Sequence, residues 1–146
     1  MNNPLRSRQE YEQFLYTLSE SFLSVQSSKI VFIPKSARFG LVKGEVYFEQ
    51  GFRLLIKEWL TFSHLPNVIS DYSYEVWQGE EKLYWYDSQP HPDDATLAST
   101  HPHHKHIPPD IKHHRLTAPQ ISFSQPNLPV LIQEIEVLIR KETNAT

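Results

Sequence analysis

Apolar residues fall at Tyr11, Phe14, Leu15, Leu18, Phe22 and Val25, a single stripe at helical spacing over about 8–25. Ser7 followed by Glu10 fits a capping box, in which hydroxyl and carboxylate satisfy free amides, so the pattern predicts an N-terminal helix. SSKIVFIPKSARFG then reads as extended chain, with Pro34 at an edge position or a break. LVKGEVYFEQGFRLLIKEWLTF predicts two strands joined at Gln50-Gly51, where glycine supplies the positive φ of a tight turn. If Glu49 pairs with Phe52, then Tyr47, Phe52, Leu54 and Ile56 share one face, with Glu58 at a solvent rim. Val46, Phe48, Leu55 and Trp59 take the other face, so both faces are partly apolar and a cover is expected on each.

DYSYEVWQGEEKLYWYD predicts a second hairpin, with Trp77 opposite Lys82, Val76 beside Leu83, Tyr74 beside Trp85 and Tyr72 beside Asp87. In that register an aromatic floor ends in Tyr72 and Asp87 at the sheet rim. At the C-terminal end Asn127 is a capping residue, Pro129 suits a first turn, and Leu128, Leu131, Ile132, Ile135, Leu138 and Ile139 repeat helically. The expected architecture is therefore one α+β domain over 1–146. An antiparallel sheet of about four strands, two hairpins, carries the N- and C-terminal helices mainly on one face. A His- and Pro-rich loop spans about 88–125, a length that points to function or disorder.

The chain has no cysteine, which excludes disulfides and thiolate ligation. No run approaches the ~20 apolar residues of a membrane span, and MNNPLRSRQE lacks the apolar region of a signal peptide, so the expected compartment is the cytoplasm. A net charge of −3 excludes binding of nucleic acid through the overall field. The charge is segregated, however. Seven acids lie between Asp71 and Asp94 against Lys82 alone, while 101–115 carries Lys105, Lys112 and Arg115 against Asp110.

HPHHKHIPPDIKHHR, 101–115, holds six of the eight histidines. Imidazole is a common ligand for divalent metals, and Asp87, His91, His104 and His106 are the candidate ligands. In an extended segment His104 and His106 point one way, with His101 and His103 the other. The spacing matches no zinc module, and ligands strung along a Pro-rich loop lose entropy on ordering, so tight binding is not expected. Asp87, Ser88, His91 and the HHKH run also supply an acid, imidazoles and a lysine, the ingredients of phosphodiester cleavage. In that reading His103, His104 and His106 do acid–base work, Lys105 stabilises charge and Asp87 orients an imidazole or binds metal. Tyr72 and Tyr74, with His91, are candidate substrate-binding residues, although alternating aromatics in strands are more often core. His101, His113 and His114 are expected to be solvated, and the His113–His114 pair to be dispensable.

YDSQPHP at 86–92 followed by HPHHKH at 101–106 resembles the bacterial toxin family TumE, whose members show YDN-A-PHHP, then FPHHKH, then a short acidic C-terminal helix. GEVYFEQGFRLLIKEWL and DYSYEVW resemble that family's paired strands, and the resemblance covers 40–140. Ser88, Pro92 and Glu75 depart from the family's asparagine and histidines. The resemblance implies the toxin component of a type II toxin–antitoxin pair, silenced by a cognate antitoxin protein, with RNA as the substrate class common among such toxins. The alternative from the residues is a non-catalytic protein-binding module with a His-rich surface, or a metal-binding protein. The apolar second sheet face further predicts cover by another chain, an antitoxin or a second copy in a homodimer.

Overall fold

The computed structural model describes residues 3–88, 103–108 and 115–145. The alternating middle of the chain forms one antiparallel sheet: β1 (Val25–Pro34), β2 (Phe39–Phe48), β3 (Phe52–Thr61), β4 (Ile69–Gln78), β5 (Glu81–Asp87), β6 (His104–His106) and β7 (Arg115–Thr117). Strands adjacent in sequence are adjacent in the sheet, the arrangement that short antiparallel connections favour. The α+β class holds, but among the described residues the sheet has seven strands and not about four. The chain before Phe39 adds β1 on one edge. The segment expected to be a loop adds β6 and β7, and β6 satisfies the free hydrogen-bonding edge of β5.

The N-terminal stripe is interrupted. It forms α1 (Arg8–Tyr16) and α2 (Leu18–Ser21), separated by Thr17 at φ −111, ψ 19. Ser7 caps as its spacing predicts, accepting from the Glu10 amide at 3.2 Å and donating to the Glu10 carboxylate. Val25 leaves the helical stripe and pairs with Phe48 in the sheet, which suits its β-branched side chain. The C-terminal helix, α3 (Leu128–Ala145), buries Leu128, Leu131, Ile132, Ile135 and Ile139 in one core with Tyr11, Leu15 and Leu18. Each such side chain contributes about 1.5–3 kcal/mol. Asn127 precedes α3, but its side chain turns inward, accepting from the Ser122 amide at 2.9 Å and donating to the Tyr74 hydroxyl at 3.0 Å.

Both hairpins differ from the expected registers by one residue. Gln50 and Gly51 have the positive φ that the turn requires, 62° and 78°. Glu49 nevertheless falls outside the ladder, so Tyr47 pairs with Arg53 and Val46 with Leu54. Val46, Phe48, Phe52, Leu54, Ile56 and Glu58 therefore face the helices. Tyr47, Arg53, Leu55, Lys57 and Trp59 face the other way. Glu58 is not at a rim: it is fully buried, and the Tyr11 and Tyr74 hydroxyls each donate to it at 2.6 Å.

Gly44 lies between Ile30 on β1 and Ile56 on β3, at φ 150°. A Cβ there would come within 2.7 Å of the Ile30 Cα. Gly44→Ala is expected to destabilise the fold by about 2–4 kcal/mol, combining backbone strain with overpacking. Urea unfolding of the two proteins measures it, and an unchanged midpoint would refute the close approach.

Candidate functional site

A bulge places the chemistry. Trp77 pairs with Lys82 as expected, but Leu83 drops out of the ladder and Val76 pairs with Tyr84. From there every partner moves by one: Glu75 faces Trp85, Tyr74 faces Tyr86 and Ser73 faces Asp87. Such a slip exchanges the two faces of the sheet. Trp85 and Asp87 thus leave Tyr72 and Tyr74, and point away from the helices. Tyr74 is fully buried against Glu58 and Tyr72 is nearly so, which places both in the core and off the expected aromatic floor.

β6 pairs Asp87 with His104 and Trp85 with His106, so all four share the open face. His104 Nε2 lies 2.6 Å from Asp87 Oδ1, and His106 Nε2 lies 3.3 Å from Oδ2. The two imidazoles are 1% and 2% exposed, whereas the Asp87 side chain is 18% exposed and presents an edge to solvent. Burial alone pushes the Asp87 carboxyl up, but its pairing with His104 and His106 outweighs this and holds it below the ordinary carboxylate range. Ser88 fastens the end of β5. Its hydroxyl donates to the Asp71 carboxylate and accepts from the Tyr72 amide at 3.0 Å.

Alternation along β6 divides the HHKH run between the two faces. Lys105 was expected to work beside His104 and His106, but it lies on the helix face. Its Nζ is 3.7 Å from Glu134 and 4.1 Å from the Tyr84 ring centroid. His103 is also on that side, with Nδ1 2.7 Å from the Tyr72 hydroxyl and its ring 4.5 Å from Phe123. His91, His101, His113 and His114 lie outside the described residues.

The registers line up a transverse row on the open face, Lys43, Lys57, Ser73, Asp87 and His104, each opposite the next. Adjacent strands are about 4.8 Å apart, so the Lys57 backbone is roughly 10 Å from that of Asp87. A cleft of about 190 Å³ fills this gap, lined by Lys57, Trp59, Ser73 and Asp87 among others. Reading the residues alone missed Lys57 and Ser73, because only the correct hairpin registers put them in line with Asp87.

The three tryptophans of the chain all lie on this open face, each beside a cation. The Lys57 ammonium is 5.9 Å from Trp59, the Arg53 guanidinium 4.8 Å from Trp77 and the Lys82 ammonium 3.6 Å from Trp85. Rings paired with cations are suited to stacking bases and holding phosphates.

The TumE family model, described as Toxin TumE, matches residues 13–139. The chain belongs to the TumE toxin family. No curated protein and no solved structure matches it. In this toxin the resemblance seen at 86–92 and 101–106 gains a spatial meaning: β5 and β6 bring Asp87 from the first segment against His104 and His106 from the second. Among the described residues no helix is long and apolar enough to cross a membrane. One group of potential metal ligands is present among them, Asp87, His104 and His106, with ligand atoms all within 4.8 Å of one another.

Proposed function

We propose that this toxin cleaves RNA in the cytoplasm, taking a phosphodiester into the cleft between Lys57 and the Asp87–His104–His106 triad. The observation that carries the reading is the row in which a cation, a hydroxyl, an anionic carboxylate and an imidazole stand in register across one cleft. Lys57, with Lys43 behind it, supplies the charge that offsets the phosphorane-like transition state, a role the residue pattern alone assigns to Lys105. Trp59 and Trp85 flank the row and suit stacking of bases on either side of the bond.

The chemistry is an internal transfer. The triad accepts the 2′-hydroxyl proton, the O2′–P bond forms and the P–O5′ bond breaks. A proton then returns to the leaving O5′. The products are a 2′,3′-cyclic phosphate and a 5′-hydroxyl. The cognate partner in this reading is an antitoxin protein covering the open face, where Val31 is 47% and Phe39 38% exposed beside the half-buried tryptophans. A second copy of the chain is the other occupant such a face accepts.

Purified protein incubated with a short single-stranded RNA is expected to yield those two ends. The same oligonucleotide with 2′-deoxyribose throughout should remain intact. Toxic protein that leaves RNA whole at every concentration tried, or that cuts the ribose and deoxyribose oligonucleotides equally, would overturn the reading.

A further inference from the structure

We infer that Asp87, His104 and His106 form a site for one divalent transition-metal ion of the zinc class. Ligands strung along a Pro-rich loop lose entropy on ordering, which opposes tight metal binding. The register removes that objection for these three. His104 and His106 are alternate residues of one strand and Asp87 is on its hydrogen-bonded neighbour, so β5–β6 pairing brings the ligands together before any ion arrives. Their ligand atoms all fall within 4.8 Å of one another.

The donor set selects the ion. Two imidazole nitrogens and one carboxylate suit zinc, iron, nickel or manganese, whereas magnesium and calcium prefer oxygen. The imidazoles are buried and their Nε2 atoms both face the carboxylate, so an ion bound there would be enclosed by protein on the imidazole side. Asp87 also lines the cleft with Lys57 and Trp59. The described residues supply three protein ligands, the number that catalytic zinc sites use. Tetrahedral zinc at bond lengths near 2.1 Å separates its ligands by roughly 3.3 Å. The His106 Nε2–Asp87 Oδ2 distance of 3.3 Å already matches this, and the His104 Nε2–Asp87 Oδ1 distance of 2.6 Å must open by roughly 0.7 Å.

The inference depends on the phosphodiester reading for its consequence, not for its test. An ion in this position lowers the pKa of a bound water and gives that water the proton-accepting role of the triad.

The test uses untagged full-length protein, stripped with EDTA, loaded with zinc, dialysed and assayed for metal. Cobalt substitution provides an optical readout of coordination. We expect one equivalent of zinc per chain, a higher melting temperature with zinc than with EDTA, and no such rise with magnesium. Asp87→Asn and His106→Gln should weaken binding by at least roughly 100-fold, more than loss of an outer-shell partner does. The pair His113→Ala and His114→Ala should bind as the parent does, which separates this site from adventitious binding by the other histidines. The zinc-dependent rise in melting temperature of the parent protein needs no variant to fold. Absence of stoichiometric metal, or equal retention by the Asp87, His106 and His113/His114 variants, would overturn the site. Metal bound without RNA cleavage removes only the phosphodiester reading, and cleavage that persists in EDTA with no metal bound removes only this inference.

Discussion

Asp87→Asn is expected to reduce RNA cleavage and cellular toxicity by roughly 10⁴-fold, the scale of losing a catalytic orienting carboxylate. The amide keeps the shape of the side chain but loses the anion that holds both imidazoles. Lys57→Ala should lose about 2–4 kcal/mol of transition-state stabilisation, the size seen when a charge-stabilising donor is removed. Lys105→Ala should leave cleavage within a few-fold of the parent, because its ammonium faces Glu134 and Tyr84 on the opposite side of the sheet. Its contribution is to stability, about 1 kcal/mol or less for a partly exposed pair. Cleavage rates of the purified variants, with melting temperatures measured alongside, make the comparison. If Lys105→Ala proves as damaging as Lys57→Ala at equal stability, the assignment of faces is wrong. Toxicity in a sensitive host, expressed without the antitoxin, should rank the variants in the same order.

Glu58→Ala is expected to destabilise the fold by about 3–5 kcal/mol, since it leaves a cavity and deprives two buried tyrosine hydroxyls of their acceptor. Glu58→Gln is the more informative variant because it keeps the volume and removes the titration. Burial raises the Glu58 carboxyl above its ordinary 4.5, partly opposed by the hydrogen bonds from Tyr11 and Tyr74. Burial first, then the Glu58 charge, also raises both tyrosines, so they stay protonated donors. A carboxyl raised in the folded state binds more protons folded than unfolded between its two pKa values. Its contribution to stability is therefore complete below the unfolded value and is lost as pH rises through the folded one. Urea unfolding at about pH 4 and pH 8 should show parent minus Glu58→Gln falling as pH rises. Asp87 acts with the opposite sign, since its carboxyl is held low and its contribution is lost as pH falls. That term is common to both proteins and cancels in the difference. A difference that grows with pH would show that Glu58 is stabilised as an anion.

Much of the secondary structure was legible because it depends on local periodicity. The α3 stripe from Leu128 to Ile139 and the alternation through β2–β5 each state which element will form. The three-residue strands β6 and β7 were not legible, because HKH and RLT are too short to carry a period; β6 becomes a strand only against the waiting edge of β5, and β7 only against β6. Thr17 likewise broke a stripe that sequence spacing alone would have continued to Val25.

Local residue patterns sufficed for the α+β class, the two hairpins, the core of α3 and, through YDSQPHP and HPHHKH, the resemblance to the TumE family that the match over 13–139 bears out. They also singled out Asp87, His104 and His106, since residue type and i, i+2 spacing already place two imidazoles on one side of a strand. What lies beside them depends on the registers of the sheet. Omission of Glu49 and Leu83 from their ladders moves each pairing by one residue. Because side chains alternate with a period of two, that single step brings Val46 and Phe48 onto the face of Phe52, Leu54, Ile56 and Glu58, and turns Trp85 and Asp87 away from Tyr72 and Tyr74 onto the open face with Lys57 and Ser73. Lys105 is left behind it for the same reason. A bulge has no periodic signature in the chain; it is chosen by which of two nearly equivalent registers buries more apolar surface against the helices.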